Sequence, residues 1–220
     1  MDKIAIIGSS GHARVVIDIV ERGGQYAIAG LIDSFRPVGE STFGYSVIGT
    51  ENELPQLVKD FDLRGVIVAI GDNHSRSVVS ARVSASVPDL PFVSAIHPSA
   101  VIGKFACIDA GTVVMAGAVI NPGCRIGPGC IVNTRASLDH DSVMEAFSSL
   151  APGVVTGGNC VIGEGSAVGI GATLIHRITV GNHCVIGAGS VVLGDIDAGS
   201  VAYGNPARIV RSRDPAERYL

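Results

Sequence analysis

Residues 156–192 read TGGNCVIGEGSAVGIGATLIHRITVGNHCVIGAGSVV and belong to a six-residue repeat that keeps one register from Ile96 to about Ala198. Every sixth residue is aliphatic or Met, with Thr156 as the exception: Ile96, Ile102, Ile108, Val114, Ile120, Ile126, Val132, Leu138, Met144, Leu150, Thr156, Ile162, Val168, Leu174, Val180, Ile186 and Val192. A mostly smaller residue follows each of them after four positions, as at Ala100, Cys124, Ser148 and Cys184. Neither a helix nor an alternating strand has this period, so the repeat predicts a parallel β-helix.

The repeat also predicts how the coil is held together. Successive turns of such a coil stack at about the 4.8 Å spacing of neighbouring strands, so the large residues fill the interior. Glycine commonly follows the large residue, which suits corners that need a positive φ or a close approach of two backbones. These glycines are Gly103, Gly127, Gly157, Gly163, Gly169, Gly181 and Gly187.

Residues 1–95 have a different pattern, in which apolar strands alternate with helical spacing. We expect strands at Lys3–Ile7, Ala27–Ile32, Gly65–Ile70 and Phe92–Ile96, and helices at His12–Arg22, Glu51–Phe61 and Asn73–Val87. Strands alternating with helices predict a small parallel sheet with Rossmann-like winding. The domains are therefore residues 1–95, a β-helix over residues 96–204 and a charged C-terminal tail over residues 205–220.

Composition and charge indicate which partners to exclude and in which compartment to expect the protein. The 220 residues carry a formal net charge of −4, so no basic surface for nucleic acid is expected. Neither a signal peptide nor an apolar run of membrane-spanning length is evident, and we expect a cytoplasmic protein without a membrane partner. Four of the cysteines fall on the small-residue positions and Cys107 directly follows one, without a CxxC pair. We therefore expect neither disulfides nor a metal site.

Three loops of the predicted sheet carry candidate ligand-binding residues. Gly8-Ser9-Ser10-Gly11 follows the first strand, Asp33 follows the second, and Gly71-Asp72-Asn73 follows a third. Ligands of such sheets bind at the carboxyl ends of strands, and free N–H groups at a helix N-terminus favour phosphate. The first loop lacks the full GxGxxG spacing, which argues against NAD. The alternative is that these are ordinary strand-to-helix turns with Asp and Asn as caps.

One of the six histidines has the surroundings of a general base. Positions eighteen residues apart stack in a three-sided coil, which aligns His140, Gly158 and His176. A base at His140 would then lie beside the backbone of Gly158, whose amide could face a developing oxyanion. The carboxylates of Asp139 and Asp141 flank this histidine and could fix its tautomer. The alternative is an exposed corner histidine. His97, His176 and His183 lack this combination, whereas His12 and His74 lie in the predicted ligand loops.

Five segments that together span nearly the whole chain resemble a known family. They are Ile6–Ala13, Ala69–Asn73, Asn133–Asp141, Ala151–Val154 and Gly204–Arg208. They are similar to sugar acetyltransferases with an N-terminal nucleotide-sugar domain and a left-handed β-helix, a group that includes sialic acid O-acetyltransferases and UDP-N-acetylbacillosamine and GDP-perosamine N-acetyltransferases.

The resemblance implies a homotrimer with active sites between subunits, a nucleotide sugar as acceptor and acetyl-CoA as co-substrate. It implies His140 as general base with Asp141 as its acidic neighbour and the Gly158 amide as oxyanion donor. By the same resemblance, acetyl-CoA lies along the coil at Gly158, Ile170, Ala188, Pro206 and Arg208. The nucleotide sugar contacts Gly8, Ser9, Ser10, Gly11, His12, Asp33, Gly71, Asp72 and Asn73.

One position departs from the family pattern. Ser149 stands where the family often has a second histidine, so the part that this histidine plays in acceptor or CoA binding does not carry over to this chain. The predicted reaction is direct acetylation of a sugar amine on a nucleotide-linked amino sugar. Three alternatives stay open: acetylation of a sugar hydroxyl, a nucleotide-sugar-binding protein without activity, and carbonic anhydrase chemistry, which would need a histidine cluster binding metal.

Overall fold

The computed structural model describes residues 1–219, which form an N-terminal α/β unit followed by a long three-sided coil. The elements of the first unit are β1 (Asp2–Ile7), α1 (Gly11–Gly23), β2 (Tyr26–Ile32), β3 (Ser41–Thr42), β4 (Tyr45–Gly49), a 3-10 turn (Glu51–Glu53), α2 (Leu54–Asp60), β5 (Leu63–Val68) and α3 (Asn73–Ser86). The strand order is β3-β4-β2-β1-β5, parallel except for the β3–β4 hairpin. The predicted Rossmann-like sheet is confirmed.

Three predicted elements differ from the structure. The strand expected at Gly65–Ile70 is Leu63–Val68, because the carbonyls of Ile70 and Gly71 turn towards a side chain of α3. Phe92 pairs with Val66 only through an isolated bridge, and the strand that enters the coil is short. The helix expected at Glu51–Phe61 opens with a 3-10 turn, in which Glu53 and Thr50 form a capping box.

Two-residue strands build the coil, one on each face of every turn. Face 1 holds β6 (Ala95–Ile96), β9 (Val113–Val114), β12 (Ile131–Val132), β15 (Ser149–Leu150), β18 (Ala167–Val168) and β21 (Val185–Ile186). Face 2 holds β7 (Val101–Ile102), β10 (Val119–Ile120), β13 (Ser137–Leu138), β16 (Val155–Thr156), β19 (Thr173–Leu174) and β22 (Val191–Val192). Face 3 holds β8 (Cys107–Ile108), β11 (Arg125–Ile126), β14 (Val143–Met144), β17 (Val161–Ile162) and β20 (Thr179–Val180).

The coil keeps the eighteen-residue stacking that the repeat predicts. Val119 pairs with Ser137 and Val101, and equivalent parallel pairs continue along every face. The large column is buried from Val114 onwards, and the small column packs beside it. Several small polar side chains donate to a carbonyl fifteen residues ahead, such as Cys130 Sγ to Glu145 O at 3.0 Å and Ser166 Oγ to Gly181 O at 2.6 Å. These contacts explain why Cys and Ser fit inside an apolar core.

The glycines that follow the large residues have no positive φ and are needed for close approach alone. A Cβ at Gly181, for example, would lie 2.6 Å from the backbone nitrogen of Ala198 on the next turn. Positive φ instead falls on every sixth residue from Phe105 to His183 and on to Gly189. Several members of that set are not glycine, among them Asp141, with a φ of 57°.

A buried arginine of α3 joins the two units. Arg76 is 1% exposed and makes five hydrogen bonds, of which Nε donates to Gly129 O at 2.7 Å and Nη2 donates to Phe147 O at 3.0 Å. The other bonds reach Ile70 O, Gly71 O and Asn73 Oδ1 at 2.7–3.0 Å. Burial lowers the pKa of Arg76 to about 10, so the guanidinium is charged at neutral pH and carbonyl dipoles on both units stabilise it.

The segment predicted as a charged tail is largely ordered by contacts. Strand β24 (Ala207–Ser212) pairs antiparallel with β23 (Ser200–Gly204), so Pro206 lies in the exposed turn between them and Arg208 is the second residue of the return strand. Beyond β24 the chain folds back along the coil until Tyr219 contacts the start of α3. Within residues 1–219, no helix has the length and apolar character needed to span a membrane.

Candidate active site

The predicted base and the predicted donor meet at the corner between faces 2 and 3. A Cβ added to Gly158 would lie 2.5 Å from His140 Nε2, so only glycine lets the imidazole lie against the next turn. The Gly158 carbonyl accepts the Arg177 N–H at 2.9 Å, whereas among residues 1–219 no acceptor pairs with the Gly158 N–H. This corner therefore holds a ring nitrogen and an unpaired backbone donor side by side.

A carboxylate sets the protonation of that imidazole. His140 Nδ1 lies 2.8 Å from Asp141 Oδ2, and because a carboxylate only accepts, Nδ1 carries the proton and Nε2 is free to take another. The hydrogen bond to Asp141 raises the pKa of His140 above its ordinary value, and the charges of Asp139 and Asp141 act in the same direction. The pair is exposed on the single chain, with 55% and 63% of the two side chains accessible.

Asp139, Asn121 and Thr156 hold the corner in place, and no role in the site was predicted for the last two. Asp139 Oδ1 accepts the His140 N–H at 2.8 Å and the Asn121 side-chain amide at 3.0 Å. Thr156 Oγ1 accepts the Asp139 N–H at 3.0 Å from inside the coil. Thr156 is the one residue of the large column that is neither aliphatic nor Met. That exception in the sequence could have indicated that Thr156 supports the site.

The loops of the N-terminal unit meet at one edge of its sheet, as expected. Gly8 has a φ of 103° and lies where a Cβ would be 3.0 Å from Ala69 O. Ser9 is buried and donates to Asp33 Oδ2 at 2.5 Å, while Ser10 and Gly11 are exposed at the start of α1. The Ser10 side chain makes no capping bond, so the first N–H groups of this helix lack that partner.

In the third loop, Gly71–Asn73, the side chains of two of the three residues form hydrogen bonds within the chain. Asp72 caps α3 through a 2.8 Å bond from Ser75 N to Oδ1, and its other oxygen is buried without a partner among residues 1–219. Asn73 is buried, and its amide nitrogen donates to the coil carbonyls of Gly165 and Ser166. Its side chain thus joins the two units, which leaves Gly71 as the residue of this loop that is open to a ligand.

A groove of about 470 Å³ runs along face 1 from the N-terminal loops to the corner after it. At one end it is lined by His12, Gly71, Ser149 and Tyr219, and at the other by Ile170 and Ala188. Burial, together with the charge of Arg76, lowers the pKa of His12 to about 4, and its Nε2 has no partner among residues 1–219. The wall of the groove therefore contains a neutral imidazole whose buried Nε2 lacks a partner in the described part of the chain.

His140 does not line this groove. His140 lies at the corner between faces 2 and 3, whereas the groove occupies face 1 and the corner between faces 1 and 2. A single chain thus separates the predicted base from the predicted acceptor loops. No group of three or more His, Cys, Asp or Glu side chains suited to a metal ion is found within residues 1–219.

Both halves of the chain match known family models. Residues 3–83 match the PglD N-terminal domain, and residues 99–134 and 159–194 match the bacterial transferase hexapeptide model of six repeats. A stretch of 117 residues is 34% identical to UDP-N-acetylbacillosamine N-acetyltransferase of Bacillus subtilis. That match covers 52% of this chain and 52% of the Bacillus protein, so about half of that relative is spanned.

Two solved structures are similar over almost their full length. A histidine-to-alanine variant of GDP-perosamine N-acetyltransferase from Caulobacter crescentus, in complex with CoA and GDP-perosamine, is 34% identical with a TM-score of 0.90. The alignment covers 96% of this chain and 98% of that one. The acetyltransferase domain of PglB from Neisseria gonorrhoeae, in complex with acetyl coenzyme A, is 36% identical with a TM-score of 0.87, over 94% and 98% of the two chains.

An α/β domain joined to a hexapeptide coil defines a class of acetyltransferase, and the coil is the left-handed β-helix of that class. The chain belongs to the hexapeptide-repeat sugar N-acetyltransferases with a PglD-type N-terminal domain, a family of acetyl-CoA-dependent enzymes. The resemblance inferred from the sequence is confirmed at the level of family and fold.

Proposed function

We propose that this protein transfers the acetyl group of acetyl-CoA directly to the amino group of a nucleotide-linked amino sugar. The observation that carries the proposal is the contact of His140 with the Gly158 backbone, backed by the Asp141 carboxylate. The unprotonated amine attacks the thioester carbonyl while His140 Nε2 takes the amine proton. The Gly158 N–H stabilises the oxyanion, which collapses with loss of CoA thiolate.

Each unit is proposed to bind one substrate: the N-terminal unit binds the nucleotide sugar and the coil binds acetyl-CoA. The diphosphate of the nucleotide sugar lies at the start of α1, against Gly8–His12, where unpaired N–H groups and the helix dipole favour anions. Asp33 and the loop of Gly71, Asp72 and Asn73 flank the rest of that ligand. Acetyl-CoA lies between two chains, at Gly158 of one and along Ile170, Ala188, Pro206 and Arg208 of the other, because Gly158 is on a different corner of the coil. Because both substrates are small soluble metabolites, we expect the reaction in the cytoplasm.

The separation of His140 from the groove supports a homotrimer. In a closed ring of identical chains, one subunit can present its corner between faces 2 and 3 to the groove of its neighbour. Such a contact would bring His140 of one chain to the ligand loops of the next. Exposed apolar side chains on face 2, such as Val101 and Val155, provide an outer surface suited to that contact.

The test compares acceptors that differ in one atom. Purified protein is incubated with acetyl-CoA and UDP-, GDP- or dTDP-linked 4-amino-4,6-dideoxy sugars, each beside its 4-hydroxy counterpart, and released thiol and acetylated product are measured. We expect product with an amino sugar and none with the matching hydroxyl sugar. Product with the hydroxyl sugars alone would make the protein an O-acetyltransferase. No product with any acceptor would favour a binding protein.

A further inference from the structure

The C-terminal segment reaches into the groove that the acceptor loops line. Arg213 N donates to Gly199 O at 2.8 Å and its Nη1 donates to His183 O at 3.0 Å, which fixes the segment to the last turns of the coil. Its guanidinium lies 5.6 Å from the centre of the Tyr219 ring. A 2.6 Å ion pair between Arg211 and Glu217 closes the intervening loop. The position of Tyr219 is therefore set by several independent contacts.

Tyr219 bridges the two units at the inner end of the groove. The Asn73 N–H at the start of α3 donates to the Tyr219 hydroxyl at 3.2 Å, and Ser149 of the coil lines the groove together with Tyr219. Burial raises the pKa of Tyr219, with Ser149 and Arg76 acting in the opposite direction, so the phenol is protonated at neutral pH. Because the oxygen already accepts from Asn73, its proton is available to a ligand or to Ser149.

The lining of this end suits a sugar ring. Most of it is apolar, from Ile131, Leu150 and Ala167, and the polar groups are few: the unpartnered Nε2 of His12, the hydroxyls of Ser149 and Tyr219, and Asn133. A pocket with an apolar body and a few convergent polar groups binds a ligand that has both characters. His12 is the second residue of α1, so a sugar linked to a diphosphate at the start of that helix extends into this end.

We propose that Tyr219 and Ser149 together form the wall against which the sugar ring of the acceptor lies, so that Tyr219 is a specificity-determining residue. This inference rests on the proposed function. Tyr219 places a hydroxyl-bearing aromatic ring beside Ser149, where the family often has a histidine. The hydroxyl pair then supplies the polar contact that the missing imidazole would make, and the ring covers an apolar face of the sugar.

The experiment separates acceptor binding from CoA binding. Steady-state kinetics are measured for Tyr219→Phe, Tyr219→Ala, Ser149→Ala and the double variant Ser149→Ala/Tyr219→Phe, with Arg218→Ala as control because Arg218 is exposed in the same segment. We expect Tyr219→Phe to raise the KM for the nucleotide sugar about three- to tenfold, the effect of one hydrogen bond, with the KM for acetyl-CoA unchanged. Tyr219→Ala should raise the KM for the nucleotide sugar further.

The double variant and the melting temperatures distinguish a contact with substrate from a structural role. If Ser149 and Tyr219 act on one sugar group, the double variant is less impaired than the product of the two single effects predicts. An unchanged KM for the nucleotide sugar in both Tyr219 variants would overturn the inference, as would equal changes in both KM values together with a lowered melting temperature. An inactive wild type with every acceptor would instead overturn the proposed function, and the inference with it.

Discussion

At the corner that holds His140, Asp141 must both adopt a left-handed backbone conformation and orient the imidazole. Asp141 occupies a position where the coil takes the left-handed conformation, and aspartate tolerates that conformation better than most residues with a side chain. Its carboxylate can therefore orient the imidazole at little cost in backbone strain. Gly158 is needed on the next turn because any Cβ would collide with the ring.

Replacement of the base should lower turnover strongly without loss of CoA binding. We expect His140→Ala to lower kcat by about 10² to 10⁴-fold, the usual contribution of a general base. Turnover is followed by thiol release and CoA affinity by calorimetry. His176→Ala is the matched control, because His176 is exposed at the same corner but has no acidic neighbour in the sequence. Loss of CoA binding in the His140 variant would contradict the assignment.

The Asp141 carboxylate should set the acidic limb of the pH profile. A base works only when unprotonated, so kcat rises as the pH passes upward through the pKa of His140. Asp141 raises that pKa, and Asp141→Asn should therefore move the limb to lower pH while lowering the plateau. The pH dependence of kcat measured under saturating substrates tests this. A limb that stays in place would mean that another group titrates.

At the scale of the element, close approach of backbones decides which glycines the coil needs. The glycines after the large residues contact the next turn, whereas the left-handed positions accept Asp, Asn, Arg and Phe as well. The two sets are easily confused in the sequence because both recur with the six-residue period. In the first set a Cβ would mostly collide with the backbone of the next turn, whereas at the left-handed Gly123, Gly129 and Gly165 it would meet the ends of side chains, which can move.

Gly181 provides the test of this distinction. A Cβ there would lie 2.6 Å from Ala198 N, so Gly181→Ala should force two turns apart and cost about 1–3 kcal/mol of unfolding free energy. Gly194→Ala is the control, since a Cβ at Gly194 meets nothing within 4 Å and φ is not positive there. Chemical denaturation compares the two. Equal stability of both variants would contradict the role given to close approach.

At the scale of the whole molecule, Arg76 fixes the N-terminal unit on the coil. Its replacement by Met would leave the carbonyls of Gly129, Phe147, Ile70 and Gly71 without this donor, at about 1–3 kcal/mol for each group that stays unpaired. Removal of a buried charge recovers part of that cost. We expect Arg76→Met to be destabilised by several kcal/mol in chemical denaturation, and Arg82→Met, exposed on the same helix, to be neutral. Equal stability of the two variants would show that the hydrogen bonds of Arg76 contribute nothing to the stability of the protein.

Mixed oligomers test whether the active site lies between subunits. His140→Ala lacks the base, and His12→Ala lacks a groove residue, so each alone should be impaired. If one chain supplies the base to the groove of its neighbour, refolded mixtures in equal amounts should recover about one quarter of wild-type sites. Activity is compared with each variant refolded alone, and the mass in solution is measured by sedimentation. A monomer, or a mixture without recovery, would contradict the shared site.

The six-residue period determined the coil, its core and the contact between His140 and Gly158. A translational repeat converts sequence spacing directly into spatial stacking, so residues eighteen apart could be placed together without coordinates. The parallel, Rossmann-like winding of the N-terminal sheet followed similarly from alternating strands and helices, whereas its strand order came from the structure. The short β3–β4 hairpin lies outside that alternation and was missed.

Only the tertiary structure decided how the two units meet and what lines the groove. Arg76 reaches carbonyls 53 and 71 residues away, and the Tyr219 hydroxyl accepts a backbone N–H 146 residues away. Such contacts join segments that share no repeat, so no period in the sequence predicts them. They depend on the packing of one unit against the other, because a buried guanidinium or a docked phenol finds its partners only after both units have formed.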